Sequence, residues 1–354
     1  MAILLTLKTP SVTSLLISQD TIETTEKEAL LSNLTVNPGV YYLLLNNRNT
    51  VITGSFENAG NFHVLRTHES STNIMVTSKS FQNKGTVVFD STAAVGGEEY
   101  RITVNGAFEN SGRLYWGISN AWVSGTPFSI RSKASWTNTG RIMFERTSGP
   151  AVRVAIDQGL GSRSRSVIKN TGVICLTNTV WTQTTDIKGD GCIYIGRGAK
   201  LALQAEADTA SFFVSSGQVI YLAQGSSTLE FSGLRRNPGA SFSTYKIAGF
   251  GGNNVIRFDV FFWGYSYNGE TGVLTVKYKD MGVNFDIGKD YLPFHFAKTT
   301  SLTGISLSYR QNPPNDVPSK CFCGEPSEET SPLSTLNFGP KPWPHSPRLW
   351  WALL

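Results

Sequence analysis

The side chains that could perform acid–base or metal chemistry are few and scattered in this sequence. Asp186 and Asp190 lie four residues apart, and His68 is followed directly by Glu69. Hydrolysis of a glycosidic bond needs two carboxylates on one face, and a metal site needs further ligands at suitable spacing. The two aspartates are typical of turn residues, and neither His68–Glu69 nor His63 has such ligands. We therefore predict no catalytic residue, no cofactor and no metal site.

The glycine-rich and arginine-rich segments do not indicate phosphate or nucleic-acid binding. The GFGG segment, residues 249–252, lacks the Lys-Ser/Thr of a phosphate loop. Arg163-Ser164-Arg165 is too short for a nucleic-acid footprint, and Arg235-Arg236 is typical of solvated loop charge. No apolar stretch approaches the roughly 18 residues of a membrane span. We expect no nucleic-acid partner and no direct membrane insertion.

The composition predicts an ordered, turn-rich protein. Of 354 residues, 40% are hydrophobic, 11% are aromatic and only 16% are charged. This is too apolar for a disordered chain. The 34 glycines and 15 prolines favour many turns over long helices. The expected class is all-β.

A repeat organises the first two thirds of the chain. Five segments share the template apolar-x-Asn-x-Gly-x-apolar-x-apolar: residues 56–64, 81–89, 108–116, 136–144 and 168–176. Their asparagines are 25, 27, 28 and 32 residues apart. Partial copies begin near residues 37, 187 and 213. A unit of this length cannot bury its own apolar face, but stacked copies can.

The template predicts a β-solenoid, most simply a parallel β-helix. Apolar residues two and four positions after the glycine share one face of a strand. The Asn and Gly form a corner that we expect to need positive φ, and stacked asparagines can form an amide ladder. A propeller is the alternative, but its blades need about 40 residues. Two inward columns are expected: Phe62, Val87, Leu114, Ile142, Ile174 and Ile193, and beside them Val64, Phe89, Trp116, Phe144, Leu176 and Ile195.

The pattern changes after about residue 232. Apolar runs at residues 245–250 and 255–263 precede a hairpin signal at Asn268-Gly269, and further strands are expected at residues 283–287 and 305–309. A small antiparallel β-sandwich that caps the solenoid fits this region. The predicted division is a solenoid over residues 1–232, a sandwich over 233–323, and a disordered or artefactual tail over 324–354.

Several motifs in order resemble the N-terminal domain of the hyphally regulated cell wall proteins of yeasts. They are the Asn-x-Gly repeats, LTVNPGVYY (34–42), GVICL (172–176), GCI (191–193), YKIAGFGG (245–252), NFDIG (284–288) and PSKCFC (318–323). The resemblance covers about residues 30–323. It implies a secreted adhesin-like ectodomain at the cell wall: a right-handed β-helix followed by a small β-sandwich, on a Ser/Thr-rich stalk with a GPI anchor.

The sequence departs from that family pattern at both ends. The apolar run of residues 1–7 ends at Lys8 and Pro10, short of a normal signal-peptide core, so a first strand or a misplaced start codon is expected. A Ser/Thr-rich stalk and a hydrophobic GPI tail are not evident in residues 324–354.

Two functions from different classes follow. The first is non-catalytic adhesion to a host-cell, cell-wall or abiotic surface, with a glycan as one class of ligand and the chain acting as a monomer. The second is a carbohydrate-active β-helix enzyme, a lyase or hydrolase, which needs acidic or basic groups clustered on one outer face. No carboxylate pair repeats at the outward positions of the five repeats, which are Asn61, His63, Thr86, Val88, Arg113, Tyr115, Arg141, Met143, Val173 and Cys175.

The four cysteines are expected to form two long-range disulfides. Cys175 and Cys192 lie at odd offsets from their glycines, so both point outward on adjacent coils, but they are displaced by two positions along the strand. The resulting Cα separation, about 8 Å, exceeds the ~7 Å limit for a bridge. Cys321 and Cys323 share one face of an extended segment and can reach both. The order of pairing is open, and a Cys175–Cys192 bridge or free thiols are the alternatives.

One N-glycosylation sequon is present, Asn33-Leu34-Thr35. If the protein is secreted through a eukaryotic pathway, Asn33 is the expected N-glycan site.

Overall fold

The structure is a computed structural model that describes residues 14–24, 26, 28–67, 70–94, 97–119, 125–158, 167–204, 212–223, 225–234, 244–278, 281–301 and 304–324. These residues form β-strands, turns and short 3₁₀ segments, without an α-helix. No helix within these ranges is long and apolar enough to cross a bilayer. The expected all-β class is confirmed.

The strands form two large sheets, one of 17 strands (sheet A) and one of 13 (sheet B). Sheet A contains β1 (Leu15–Ile17), β3 (Glu28–Val36), β5 (Asn49–Asn58), β7 (Asn73–Asn83), β9 (Glu99–Val104), β10 (Phe108–Asn110), β12 (Phe128–Ser132), β13 (Trp136–Asn138), β15 (Val152–Gln158), β16 (Val167–Asn170), β18 (Thr179–Thr182), β19 (Asp186–Lys188), β21 (Lys200–Gln204), β23 (Thr228–Ser232), β25 (Val255–Phe258), β29 (Phe296–Ser301) and β30 (Gly304–Tyr309).

Sheet B contains β2 (Thr21–Thr24), β4 (Tyr41–Leu45), β6 (Asn61–Leu65), β8 (Thr86–Ser91), β11 (Arg113–Ile118), β14 (Arg141–Arg146), β17 (Val173–Thr177), β20 (Cys192–Ile195), β22 (Val219–Leu222), β24 (Tyr245–Ala248), β26 (Gly264–Asn268), β27 (Val273–Tyr278) and β28 (Met281–Asp286).

Each coil of the chain contributes one strand to sheet B and then one long or two short strands to sheet A. Neighbouring coils pair in parallel from β2 to β24 and from β1 to β25. Because the strands are parallel and non-consecutive, the chain advances as a stack of coils, which is the solenoid arrangement.

The two predicted inward columns are confirmed. In sheet B, Val87 pairs with Leu114, Leu114 with Ile142, and Ile142 with Ile174. The column continues without a register shift, and both columns are buried. Beside them the first apolar residues of the first four repeats form an aromatic stack, with ring centroids 4.5 Å apart for Phe56–Phe81 and 5.0 Å apart for Phe81–Phe108 and for Phe108–Trp136. The repeat therefore supplies a continuous core.

Parallel pairing extends past residue 232, because β24 and β25 add one more coil. Beyond it, β28 still pairs in parallel with β24, while the pairs β28–β27 and β27–β26 in sheet B are antiparallel. In sheet A, β30 is antiparallel to β25, and β29 is antiparallel to β30. The run expected at residues 255–263 forms a strand only as far as Phe258, after which the chain turns. The chain up to Cys323 clusters as one compact unit. The tail expected over residues 324–354 lies outside the described residues except for Gly324.

Candidate functional site

The corner before each sheet B strand is held by a buried amide ladder. The Nδ2 of Asn58 donates to Asn83 Oδ1 at 2.8 Å, Asn83 to Asn110 at 2.7 Å, Asn110 to Asn138 at 2.7 Å, and Asn138 to Asn170 at 2.8 Å. Five asparagines are therefore linked in one chain of side-chain hydrogen bonds inside the stack, which ends where Asn170 Nδ2 donates to the Cys192 carbonyl oxygen. The expected ladder is confirmed, and it fixes each corner directly above the previous one.

The corner glycines correct the sequence interpretation. Positive φ was expected at them, but Gly60, Gly85, Gly112, Gly140 and Gly172 do not have it. Glycine is required at these positions because the backbone of the preceding coil lies too close to leave room for a Cβ. A Cβ on Gly112 would lie well inside 3.0 Å of the carbonyl oxygen of Gly85, and each later corner has the same clash with the glycine one coil earlier. The corners therefore form a narrow shelf of bare backbone.

A groove of about 530 Å³ runs along this shelf over four coils. Its cations are Lys84, Arg113, Arg141 and Lys320, and its hydroxyl groups come from Thr86, Ser111, Thr139 and Thr171. Gly85, Gly112, Gly140, Gly172 and Val173 complete the described lining, which contains no carboxylate. We name this feature the corner groove.

The two arginines of the corner groove lie side by side. Arg113 in β11 and Arg141 in β14 are direct partners in the parallel register, with Thr86 before them and Val173 after them. Paired positions on adjacent strands are about 4.8 Å apart. Each residue is partly buried. Two like charges facing each other on one sheet face are unfavourable in isolation, so this pair is a distinctive electrostatic feature.

One end of the groove is formed by a segment from the C-terminal part of the chain, which two disulfides attach to sheet B. Cys175 is bonded to Cys323 and Cys192 to Cys321, with Cα–Cα distances of 6.1 and 5.2 Å. The register places Cys175 opposite Tyr194 and Cys192 opposite Val173, the two-position displacement expected from the sequence. The structure thus gives the order that spacing left open. The segment itself is a 3₁₀ turn at Ser319–Cys321 and not the extended strand that was expected.

This C-terminal segment, residues 318–323, is here named the clasp. Its Lys320 Nζ donates to the carbonyl oxygens of Asp190, at 2.6 Å, and Gly217, at 3.4 Å. The guanidinium carbon of Arg141 lies 5.8 Å from the ring centroid of Phe322, within cation–π range. The clasp therefore delivers one cation of the corner groove and contacts another.

The clasp also explains why the outward positions of sheet B are not fully solvated. Met143, Val173, Cys175, Cys192 and Val219 form a small buried cluster with Cys321 and Cys323, flanked by partly buried tyrosines. Met143, Val173, Cys175 and Cys192 were expected to be outward, and they do leave the solenoid core. Val219 shares their face because it is the register partner of Cys192. They are covered because the clasp packs across them.

The candidate acid–base residues are not brought together as a catalytic pair. Asp186 is buried, and its Oδ1 accepts a hydrogen bond from the Phe213 amide at 2.8 Å. Asp190 is exposed in the corner beside Gly189, whose φ is +106°. The GFGG segment forms a turn in which the Gly251 amide donates to Asn254 Oδ1. His68–Glu69 and the two arginine-rich segments lie outside the described residues.

Two buried ionisable groups have displaced pKa values for the same reason. Burial lowers the pKa of His63 to about 4, and its ring nitrogens have no hydrogen-bond partner within the described ranges. Burial raises the pKa of Glu98 to about 7, and the charge of Arg146 opposes that rise. In both groups desolvation disfavours the charged form of the side chain.

Sequence reasoning recognised Arg113 and Arg141 as outward but not as part of a site. The signal was present in the template, since both occupy the position directly after the corner glycine in successive repeats. Lys320 was not identified, because its contact with Asp190 spans 130 residues and depends on the order of the disulfides. Among the described residues no three His, Cys, Asp or Glu side chains are grouped as a metal site.

Comparison with known proteins agrees with the fold and the motifs. The profile of the family described as "Hyphally regulated cell wall protein N-terminal" matches residues 5–329. Cell wall protein RBR3 of Candida albicans is 27% identical over 94% of this chain and 22% of its own length. Cell wall protein IFF9 of Candida albicans is 30% identical over 90% of this chain and 32% of its own length.

A further relative comes from another species. Adhesin AWP2 of Candida glabrata is 30% identical over 68% of this chain and 27% of its own length. The chain thus spans between about a fifth and a third of the length of these relatives. The extent of the profile match places it plainly: the chain belongs to the hyphally regulated cell wall protein N-terminal family.

Proposed function

We propose that this chain is a non-catalytic adhesion module of a secreted fungal cell-wall protein. The observation that carries the proposal is its similarity, over 68% of the chain, to a protein named as an adhesin, together with the cell wall proteins that match over 90% or more. Location at the cell wall follows from the same relatives.

The architecture suits a surface-presenting role. A stack of coils with one continuous core holds its outer faces at fixed spacing, and the buried ladder and the close-packed glycine corners leave little freedom at the corner groove. A site on such a rigid element needs little ordering when it binds a ligand. The corner groove is the face that we assign to ligand binding.

The charges of the corner groove favour binding over turnover. Its charged side chains are lysines and arginines, and its described lining contains no carboxylate that could serve as a general acid or base. The alternative of a carbohydrate-active hydrolase would need a pair of carboxylates, and that of a lyase would need a general base. The burial of Asp186 and its bond to a backbone amide support a structural role for that carboxylate.

Finer features of the architecture belong to the proposal. We assign right-handed coils to the stack, and we assign the antiparallel strands of residues 233–323 to a small β-sandwich that closes its end after the last parallel coil. Such a cap would cover strand edges that otherwise promote association, which supports a monomer. Light scattering of the purified chain tests the monomer directly.

Asn33 is the proposed N-glycan site. It lies at a register shift in β3 with φ +48°, and its Oδ1 accepts the Ser55 amide at 3.0 Å. It is partly exposed. A mass shift on endoglycosidase treatment of secreted protein, abolished by Asn33→Gln, supports the assignment, and an unshifted mass opposes it.

Surface display tests the proposed function. Non-adherent yeast displaying the whole chain is expected to attach to plastic, to host cells or to cell-wall polysaccharide more strongly than yeast displaying an unrelated domain. The purified chain, incubated with pectins, glucans and mannans, is expected to release no product. Absence of attachment to all three surface classes contradicts the adhesion role, and release of oligosaccharide establishes the enzyme instead.

A further inference from the structure

A second groove lies on the antiparallel strands that follow the last coil. It has a volume of about 630 Å³ and shares no described lining residue with the corner groove. Its polar side chains come from β26, β27, β28 and the turn between β26 and β27: Ser266, Asn268, Thr271, Thr275 and Asn284. Tyr267 and Val273 complete the described lining, in which no side chain is charged. We name this feature the hairpin groove.

Strand alternation separates the polar residues of this groove from the core. Ser266, Thr275 and Asn284 are direct partners across the three strands, so they form one row on the outer face of sheet B. Leu274 and Phe285 alternate with them and are fully buried on the opposite face. The row is therefore held at fixed spacing by three paired strands with a packed core beneath them.

Hydrogen bonds inside the protein orient the two amides of the hairpin groove. Asn284 Oδ1 accepts a hydrogen bond from the Thr275 hydroxyl group at 2.8 Å. Asn268 Oδ1 accepts hydrogen bonds from two backbone amides of the turn that follows it, at 2.9 and 3.1 Å. Neither Nδ2 group, nor the Ser266 hydroxyl group, has a partner among the residues that the structure describes. Two oriented donors and one hydroxyl group that can donate or accept therefore remain for a ligand.

This arrangement indicates a neutral ligand that is rich in hydroxyl groups. Uncharged amide and hydroxyl groups match sugar hydroxyl groups, which both donate and accept, whereas an anionic ligand calls for lysine or arginine. Lys277 and Asp286 lie on the same face, outside the described lining and in rows on either side of Thr275, so their charges favour neither sign of ligand. The volume is that of a typical ligand site, which suits a short oligosaccharide.

An extended peptide fits the hairpin groove less well. Such a peptide binds mainly through main-chain hydrogen bonds to an unpaired strand edge. The central strand β27 is paired on both sides, with β26 and with β28, so the middle of the groove offers side chains and not a free edge.

We propose that the hairpin groove binds a neutral oligosaccharide, with Ser266, Asn268 and Asn284 forming hydrogen bonds to its hydroxyl groups. The inference goes beyond the proposed adhesion function, because it adds a second site with its own ligand class. Binding at this site does not require the chain to promote attachment.

The test titrates the whole oxidised chain with short glucan, mannan and galactan oligosaccharides as neutral probes and with a pectin-derived uronate oligosaccharide as the acidic probe. The first groove variant is Ser266→Ala/Asn284→Ala. The second is Thr275→Val, which keeps the side-chain shape and removes the hydroxyl group that orients Asn284. The matched control is Asn73→Ala/Thr77→Ala, which removes an exposed amide and an exposed hydroxyl group from β7, outside the described lining of both grooves. Melting temperature and disulfide mapping confirm that each variant is folded.

Wild type is expected to bind at least one neutral probe, with an affinity that changes by less than about twofold as salt rises, because no charge of the protein contacts the sugar. The first groove variant should lose about tenfold or more in affinity and the second about threefold or more. The matched control should change by less than about twofold.

Three results would overturn the proposal: equal losses in the groove and control variants, saturable binding to none of the neutral probes, or tighter binding of the acidic probe than of any neutral one. An unglycosylated Ser/Thr-rich peptide that displaces the sugar, and whose own binding is lost in the first groove variant, would overturn the assignment to a sugar.

The outcomes separate this inference from the adhesion role. If displayed chain promotes attachment but the purified chain binds no neutral probe, the inference fails and the adhesion role stands. If the purified chain binds a neutral probe through the hairpin groove but displayed chain promotes no attachment to any surface, the adhesion role fails and the inference stands.

Discussion

At the scale of the residue, the corner glycines are positions that no other residue type can occupy without moving the backbone. Gly112 has no room for a Cβ, because that atom would lie within 3.0 Å of the Gly85 carbonyl oxygen of the coil below. The contact is with backbone, which cannot move without displacing the ladder. The glycine therefore allows the corners of adjacent coils to approach this closely, and the side-chain amide of Asn110 holds them together by hydrogen bonds.

Replacing Gly112 by alanine is therefore expected to destabilise the chain by at least about 2 kcal/mol. Gly264→Ala is the matched control, since a Cβ at Gly264 meets nothing within 4 Å, and its effect should stay within about 1 kcal/mol. Chemical denaturation of the two variants measures both values. Similar unfolding midpoints for the two would show that close packing of the corners is not what requires glycine.

His63 and Glu98 give the stability a pH dependence that is hidden in wild type. The pKa of His63 is lowered to about 4, so its contribution is lost as pH falls from about 6.5 to 4. The pKa of Glu98 is raised to about 7, so the folded state binds the extra proton and stability is lost as pH rises from about 4.5 to 7. The two opposing effects largely cancel between pH 4.5 and 6.5.

Single substitutions should separate the two effects. In Glu98→Gln the free energy of unfolding is expected to fall on acidification from pH 6.5 to 4, by up to about 3 kcal/mol. In His63→Leu the free energy of unfolding is expected to fall when the pH rises from 4.5 to 7, by a similar amount. Denaturation at several pH values measures both. Parallel pH profiles for the two variants would refute the assignment of these groups.

At the scale of the element, the clasp is positioned by long-range disulfides and not by pairing with a neighbouring strand. It makes one short 3₁₀ turn, and its connection to sheet B runs through two disulfides that close loops of 148 and 129 residues. In the chain-entropy treatment, a disulfide that closes a loop of this length stabilises the folded state by up to about 4–5 kcal/mol. Because Lys320 lies between Pro318 and Cys321, its place in the corner groove depends on the same bridges.

Removing one bridge should therefore change stability and groove together. Cys175→Ala/Cys323→Ala is expected to lower the free energy of unfolding by about 2–5 kcal/mol and to make the Lys320 peptide bond more susceptible to trypsin while sheets A and B stay protected. Chemical denaturation measures the free energy of unfolding, and limited proteolysis with mass spectrometry measures cleavage at Lys320. Unchanged cleavage at Lys320 would show that other contacts hold the clasp.

At the scale of the whole molecule, the sequence predicts the coil stack well because one signal recurs. The offset of Leu114 and Trp116 from Gly112 sets which face each occupies, and the same offset in every repeat fixes the inward columns. The reason for the glycine was not predictable, since a template shows which residue is present and not whether φ or a neighbouring coil requires it. The corner groove was also hidden, because Lys320 joins it from more than a hundred residues away.

The central claim is that the stack presents Cys175 and Cys192 to a C-terminal clasp, which completes the corner groove. Non-reducing peptide mapping of the folded chain tests it most directly. We expect two linked pairs, Cys175 with Cys323 and Cys192 with Cys321, and no free thiol. A peptide in which Cys175 is bonded directly to Cys192 would contradict the register of the coils, the position of the clasp and the groove built on both.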